Sequence, residues 1–118
     1  MNNLVLAYLG DAVYELWIRE YLINKKIGKV NDLQNESMKY VSAKSQVKHL
    51  HRLLDNNILT EEEIDVVKRG RNASSHNKKN VDIITYKKST GLECLIGYLK
   101  INKNTKRIDE IMNFIVGE

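Results

Sequence analysis

Apolar residues recur at helical spacing along most of the chain, and no stretch alternates apolar with polar as a half-buried strand would. The first periodic run, Leu4 to Leu22, predicts a long helix. Its apolar positions nearly encircle it. Val5, Leu9, Val13 and Leu16 lie on one side, and Leu4, Ala7 and Ile18 lie on the side of Asp11. A helix that is apolar all round is expected at the centre of its fold. Residues 24–29 read NKKIGK, a turn. A second helix is predicted over Asp32–Tyr40, and a third over Ala43–Asp55 with Ser42 as its N-cap. Val47, Leu50, Leu53 and Leu54 form the third helix's apolar stripe. Thr60 followed by Glu63 makes a capping box, which starts a helix ending near Arg69–Asn72. Residues 74–84 read as a polar loop. A helix over Tyr86–Lys100, a turn at Asn102–Asn104 and a last helix over Lys106–Val116 complete the chain. The last helix places Ile108, Ile111, Met112 and Ile115 on one face. The expectation is an all-α fold with no repeat and no second domain.

Composition narrows this picture slightly. The chain has 118 residues, enough for one domain round one core. It has no proline, so nothing breaks the predicted helices. No apolar run reaches the roughly 18–20 residues of a membrane helix, so no membrane association is expected. Met1-Asn2-Asn3 lacks the basic start of a secretory signal. Cys94 is the only cysteine, which excludes an internal disulfide and any cysteine-based zinc site. Its apolar helical setting reads as packing, and a reducing cytoplasm is the expected compartment. The net charge of +4 permits a nucleic-acid partner without demanding one.

Two acids stand out against the apolar pattern. Asp11 sits in LVLAYLGDAVYELWI, and Glu93 is the only charge between Ser89 and Leu99. A carboxylate in such surroundings loses hydration and needs a cation, a metal or a cluster of donors. Asp11 alone admits two readings, a salt-bridged core acid or a ligand for a hard cation such as Mg²⁺. Glycines sharpen the second. Gly10 precedes Asp11, and Gly91 and Gly97 flank Glu93. A helical glycine costs about 1 kcal/mol relative to alanine, so close helix packing is the expected compensation. Such packing would bring the two acids to one ion. Glu15 follows one turn later, but Arg19 is placed to pair with it at i,i+4.

The segment 66–81, VVKRGRNASSHNKKNV, contains no acid. Lys68, Arg69, Arg71, Lys78 and Lys79 suit either a solvated helix end or a phosphate-contacting surface. Asn72, Ser74, Ser75 and Asn77 add neutral donors for phosphates or ribose 2′-hydroxyls. Other candidates are weaker. His49 and His51 are two apart and diverge on a helix, and His76 reads as an exposed loop residue. Trp17, Tyr8, Tyr14 and Tyr21 read as core or interface residues. No phosphate-cradling glycine loop, nucleophile elbow or dinucleotide fingerprint is present.

Taken together, these residues resemble the ribonuclease III catalytic domain. YLGDAVYE (8–15) is similar to that family's signature helix, and GLECLIGYL (91–99) to its second acid-bearing helix. SAKSQ (42–46), KRGRNASS (68–75) and YKKSTGLECLIGYL (86–99) resemble Mini-ribonuclease III, the small bacterial branch without a separate double-stranded-RNA-binding domain. The resemblance covers nearly the whole chain in the right order, 1–118. It implies a helical domain that homodimerises through the signature helix. It implies a Mg²⁺-dependent endoribonuclease acting on double-stranded RNA, with Asp11 and Glu93 as catalytic metal ligands. Precursor large-subunit (23S) ribosomal RNA is the implied substrate, and a ribosomal protein that presents the RNA is a further candidate partner. Lys68, Arg69 and Arg71 fall in the segment that meets RNA in this branch. Two further acids of full-length ribonuclease III are replaced here by Ala7 and Thr90.

Overall fold

The computed structural model describes residues 1–74 and 82–117. Six helices follow one another: α1 (Asn3–Asn24), α2 (Val30–Val41), α3 (Ala43–Asp55), α4 (Glu61–Ala73), α5 (Ile83–Ile101) and α6 (Thr105–Val116). No strand occurs among the described residues, as the pattern predicts. Five of the helices open on a side chain that accepts a backbone N–H. These caps are Asn2, Ser42, Thr60, Asp82 and Asn104. The capping box at α4 is complete, with Glu63 accepting the Thr60 N–H in return. Asp82 also explains why α5 starts earlier than its apolar pattern suggests: its carboxylate accepts from Thr85 N and Thr85 Oγ1. α2 begins at Val30 without a side-chain cap and has no fully buried residue.

The expected central helix is displaced. α5, not α1, runs through the middle, packed by α1, α3, α4 and α6. Leu92, Cys94, Leu95 and Ile96 on α5 are completely buried. α1 buries only one face, carrying Leu6, Ala7, Tyr14, Ile18 and Leu22. Val5, Tyr8, Leu16 and Ile23 remain exposed on the other. Periodicity counts apolar positions, and it cannot tell a helix enclosed by its own fold from one with an apolar outer face.

The α1–α5 seam rests on absent side chains. A Cβ added at Gly10 would land on the Glu93 carbonyl oxygen and lie 2.7 Å from Gly97 N. A Cβ at Gly97 would strike the Leu6 carbonyl. Gly10 and Gly97 thus let the two backbones touch. A second seam joins α4 to α5, where a Cβ on Gly70 would come within 2.5 Å of Cys94 Cβ, and one on Gly91 within 2.7 Å of the Val67 carbonyl. Gly91 therefore serves α4, not α1. Cys94 is buried in this second seam, and burial pushes its thiol above the ordinary value, in keeping with a packing role.

Polar ties hold the outer helices. Tyr14 is fully buried, and its hydroxyl donates to the Tyr40 carbonyl at 2.8 Å, linking α1 to α2. Arg107 joins α6 to α4. Its Nε and Nη2 donate to the two Glu63 oxygens at 2.8 Å each, and Nη2 also reaches the Ile58 carbonyl at 2.7 Å. Burial alone would raise the Glu63 carboxyl. The Arg107 guanidinium and the Thr60 backbone N–H outweigh that and hold it below its ordinary 4.5.

Two predictions follow from these contacts. Gly10→Ala must separate α1 from α5. It should cost at least about 1–3 kcal/mol, the range for overpacking a tight interior, and a denaturant melt measures it. Glu63→Gln should cost roughly 1–3 kcal/mol near pH 7, because it removes the doubly bonded partner of the largely buried Arg107 and leaves only Glu110, at 3.2 Å, to balance its charge. The sign with pH is definite. A carboxyl with a lowered folded pKa contributes fully above its unfolded pKa and loses that contribution as pH falls through the folded value. The difference in melting temperature between wild type and Glu63→Gln should therefore shrink as pH falls below about 4.5.

Candidate functional site

The Gly10 contact decides where both acids stand. Asp11 follows Gly10 on α1, and the backbone that Gly10 touches is that of Glu93 on α5. The two carboxylates consequently line one open cleft of about 280 Å³, together with Leu4, Ala7, Tyr8, Tyr86 and Thr90. Glu93 is half-buried, but Asp11 is exposed. The expectation that both acids are buried is corrected for Asp11. Leu4 and Ala7 share its face, but Asp11 stands at the rim of the open cleft that they line, so the carboxylate keeps its water. Asp11 makes no hydrogen bond or ion pair with any described residue, so the salt-bridged core acid is excluded. Glu93 contributes to the local field. Burial foremost, then the Glu93 charge, raises the Tyr14 phenol far above its ordinary value, which keeps that hydroxyl a donor.

The donor set is spare. Ala7 is buried on the cleft wall. Thr90 is also buried, and its hydroxyl donates to the Tyr86 carbonyl at 2.9 Å while lying 3.5 Å from Ser74 Oγ. Among the described residues no three His, Cys, Asp or Glu side chains gather as a metal cage. Two carboxylates are hard oxygen donors, and the cleft is open enough for water and a phosphate. That combination suits a hydrated Mg²⁺-like cation, which takes few protein ligands.

The basic segment divides over several faces of α4. Lys68 and Arg71 turn towards a cleft between α3, α4 and α5. Arg69 points elsewhere and pairs with Asp65 at 3.2 Å. Asn72 is exposed near the helix end and accepts from Arg71 Nε at 3.3 Å. Ser74 departs from its expected role as a surface donor. It is the α4 C-cap, 3% exposed, and its hydroxyl is packed beside Thr90. Lys78 and Lys79, with Ser75, His76 and Asn77, lie outside the described residues.

The minor candidates fall into place. Glu15 pairs with Arg19 at 3.0 Å as expected, on the surface. His49 is buried and stacked on Tyr40. Its Nδ1 accepts from Arg52 Nη1 at 3.1 Å, and its Nε2 faces the Lys39 carbonyl at 3.2 Å. A neutral ring protonated at Nε2 satisfies both contacts. Its i,i+3 and i,i+4 spacing from Gln46 and Leu53, both buried, is a signal in the sequence that could have revealed its burial. His51 and Lys88 were not foreseen as partners of the basic segment. They are 37 residues apart and meet only through the fold, Lys88 Nζ lying 3.1 Å from His51 Nε2. Trp17 donates to Asp109 and stacks on Tyr21, consistent with packing.

Comparison with known proteins agrees with the fold and the motifs. Residues 4–104 match the family profile described as the Ribonuclease III domain. Mini-ribonuclease 3 of Staphylococcus aureus is 46% identical over 117 residues, covering 98% of this chain and 87% of that protein. Mini-ribonuclease 3 of Acholeplasma laidlawii is 50% identical over 101 residues, covering 86% of this chain and 81% of that one. A crystal structure of a protein from Fusobacterium nucleatum superposes with a TM-score of 0.88 at 30% identity, covering 99% of this chain and 94% of the other. With similarity this extended, the chain belongs to the ribonuclease III family, in its Mini-ribonuclease III branch.

Proposed function

We propose that the chain, 1–118, is the catalytic domain of a Mg²⁺-dependent endoribonuclease that hydrolyses phosphodiester bonds in double-stranded RNA. Its substrate is the terminal stem of precursor 23S ribosomal RNA. The observation that carries this reading is the joint cleft of Asp11 and Glu93, held by backbone contact at Gly10. A cation held there by the two carboxylates would activate a water and take up charge on the leaving oxygen. The protein's own part is to hold two anionic ligands at fixed separation on rigid helices. Tyr8 and Tyr86 border the cleft, and the uncharged Ala7 and Thr90 leave room for solvent and phosphate. Lys68, Arg69, Arg71 and Asn72 supply phosphate and hydroxyl contacts from α4, and Lys78 and Lys79 extend the same basic sequence. Recognition would follow A-form shape with little base readout.

One site cuts one strand, so a duplex requires two. The exposed apolar stripe on α1, with Tyr8 84% exposed, is suited to two-fold pairing of identical chains. A labelled RNA duplex should be cut with Mg²⁺ and left intact with EDTA, while the same sequence as a single strand survives both. Stable binding without cleavage would instead favour a non-catalytic RNA-binding module. Asp11→Asn should lower cleavage more than about a hundredfold, beyond what loss of an outer metal contact costs. Without metal, the same variant should melt within about 0.5 kcal/mol of wild type, because Asp11 is exposed and unpartnered. A marked drop in melting temperature would give Asp11 a structural role.

A further inference from the structure

Away from the carboxylates, α3, α4 and α5 enclose a second cleft of about 250 Å³. Leu50, Leu54, Ile64 and Val67 form its apolar floor. Four basic side chains rim it: His51 from α3, Lys68 and Arg71 from α4, and Lys88 from α5. No acid lines it. Lys68, Arg71 and Lys88 form no ion pair with any described residue. Arg69, one residue along α4, is by contrast neutralised by Asp65. Arg71 uses only its Nε, on Asn72, within the described residues. Lys88 Nζ lies 3.1 Å from His51 Nε2, a contact that brings it no carboxylate.

The like charges of Lys68 and Arg71 on α4 and Lys88 on α5 repel one another, and the apolar floor reduces the water that would screen them. Such an arrangement is relieved by an anion. On α5, Lys88 lies five residues before Glu93, a turn and a half of helix, which puts it on a different face from the acid. We propose that this cleft is a second phosphate-binding site, in which His51 and Lys88 join Lys68 and Arg71 on the sugar–phosphate backbone of duplex RNA. The inference rests on the proposed function for the identity of the anion. Its own content is the site: a backbone contact in a cleft separate from that of Asp11 and Glu93, built by α3 and α5 as well as α4. It anchors the duplex and takes no part in bond breaking. Because the contacts are to phosphates, they add affinity without sequence preference.

The test is RNA affinity in EDTA across a salt series, using the full chain and a labelled duplex. Each phosphate-bound cation removed should reduce the slope of log Kd against log salt by about one. Lys88→Gln should therefore weaken binding on the order of fivefold and flatten the slope by about one, and Lys68→Gln/Lys88→Gln by about two. Lys88→Glu should weaken it further, and Lys88→Arg should restore it. Lys103→Gln is the control. Lys103 is exposed in the turn after α5, whose end at Ile101 is thirteen residues and so roughly 20 Å along the helix from Lys88, and its loss should leave the slope unchanged. All variants should melt like wild type. If wild type binds and cuts the duplex while the double variant keeps its Kd and slope, the site is overturned, and an acidic protein segment becomes the better occupant. If wild type cuts no duplex, the proposed function fails instead. Equal loss of slope in Lys103→Gln would also overturn the site, because a diffuse charge effect would then explain the result.

Discussion

Backbone contact between α1 and α5 is the constraint on which the rest depends. Gly10 and Gly97 remove the side chains that would hold these helices a normal distance apart. The contact is placed at Glu93 itself, one residue from Asp11 on the facing helix. Packing and chemistry are therefore the same event. The seam that closes the core also sets the separation of the two carboxylates, with no long side chain able to relax between them. Glycine is costly inside a helix, and here both the fold and the site use the space it leaves.

The second seam, Gly70 against Cys94 and Gly91 against Val67, seats α4 on the far side of α5. α5 is thus clasped by two helices whose outer surfaces do different things. α1 offers the acids and an apolar stripe. α4 offers cations, sorted by helical phase into those that are neutralised and those that are not. Arg69 is neutralised by Asp65, while Lys68 and Arg71 face the α3–α5 side with no ion pair among the described residues. The Glu63–Arg107 pair then fixes the start of α4 against α6, so the register of that sorting is anchored at the helix's first turn.

Much of this was legible because it is local. Ser42 and Thr60 were readable as caps since a cap is made by residues three apart. Helix periods, the final helix's buried face and the Glu15–Arg19 pair are local for the same reason. The glycines around the acids were legible as close packing, but not which helix each one served. What escaped the sequence is long-range. Arg107 and Glu63 are 44 residues apart, and Glu63 already had a sufficient local explanation as a capping residue. The central position of α5 depends on how many neighbours surround it, which no single helix's pattern records. Asp11's exposure was hidden because its sequence neighbours are apolar, although helical phase turns most of them away from it.

That exposure alters the argument about the acid. A buried carboxylate would have needed a partner for folding alone. An exposed one needs none, and the glycine beside it is accounted for by the α1–α5 contact, so folding alone gives no reason for two acids to share the cleft. The apolar stripe of Val5, Tyr8, Leu16 and Ile23 lies on the same helix, and Tyr8 borders both the stripe and the cleft. Under two-fold pairing along that stripe, water would be withdrawn from the rim where Asp11 sits. The carboxylate's hydration would then depend on assembly. A charge that is inexpensive in the lone chain would become poorly solvated in the pair, and there a divalent cation compensates it most strongly. Assembly and metal affinity would therefore be linked through one helix face, each strengthening the other.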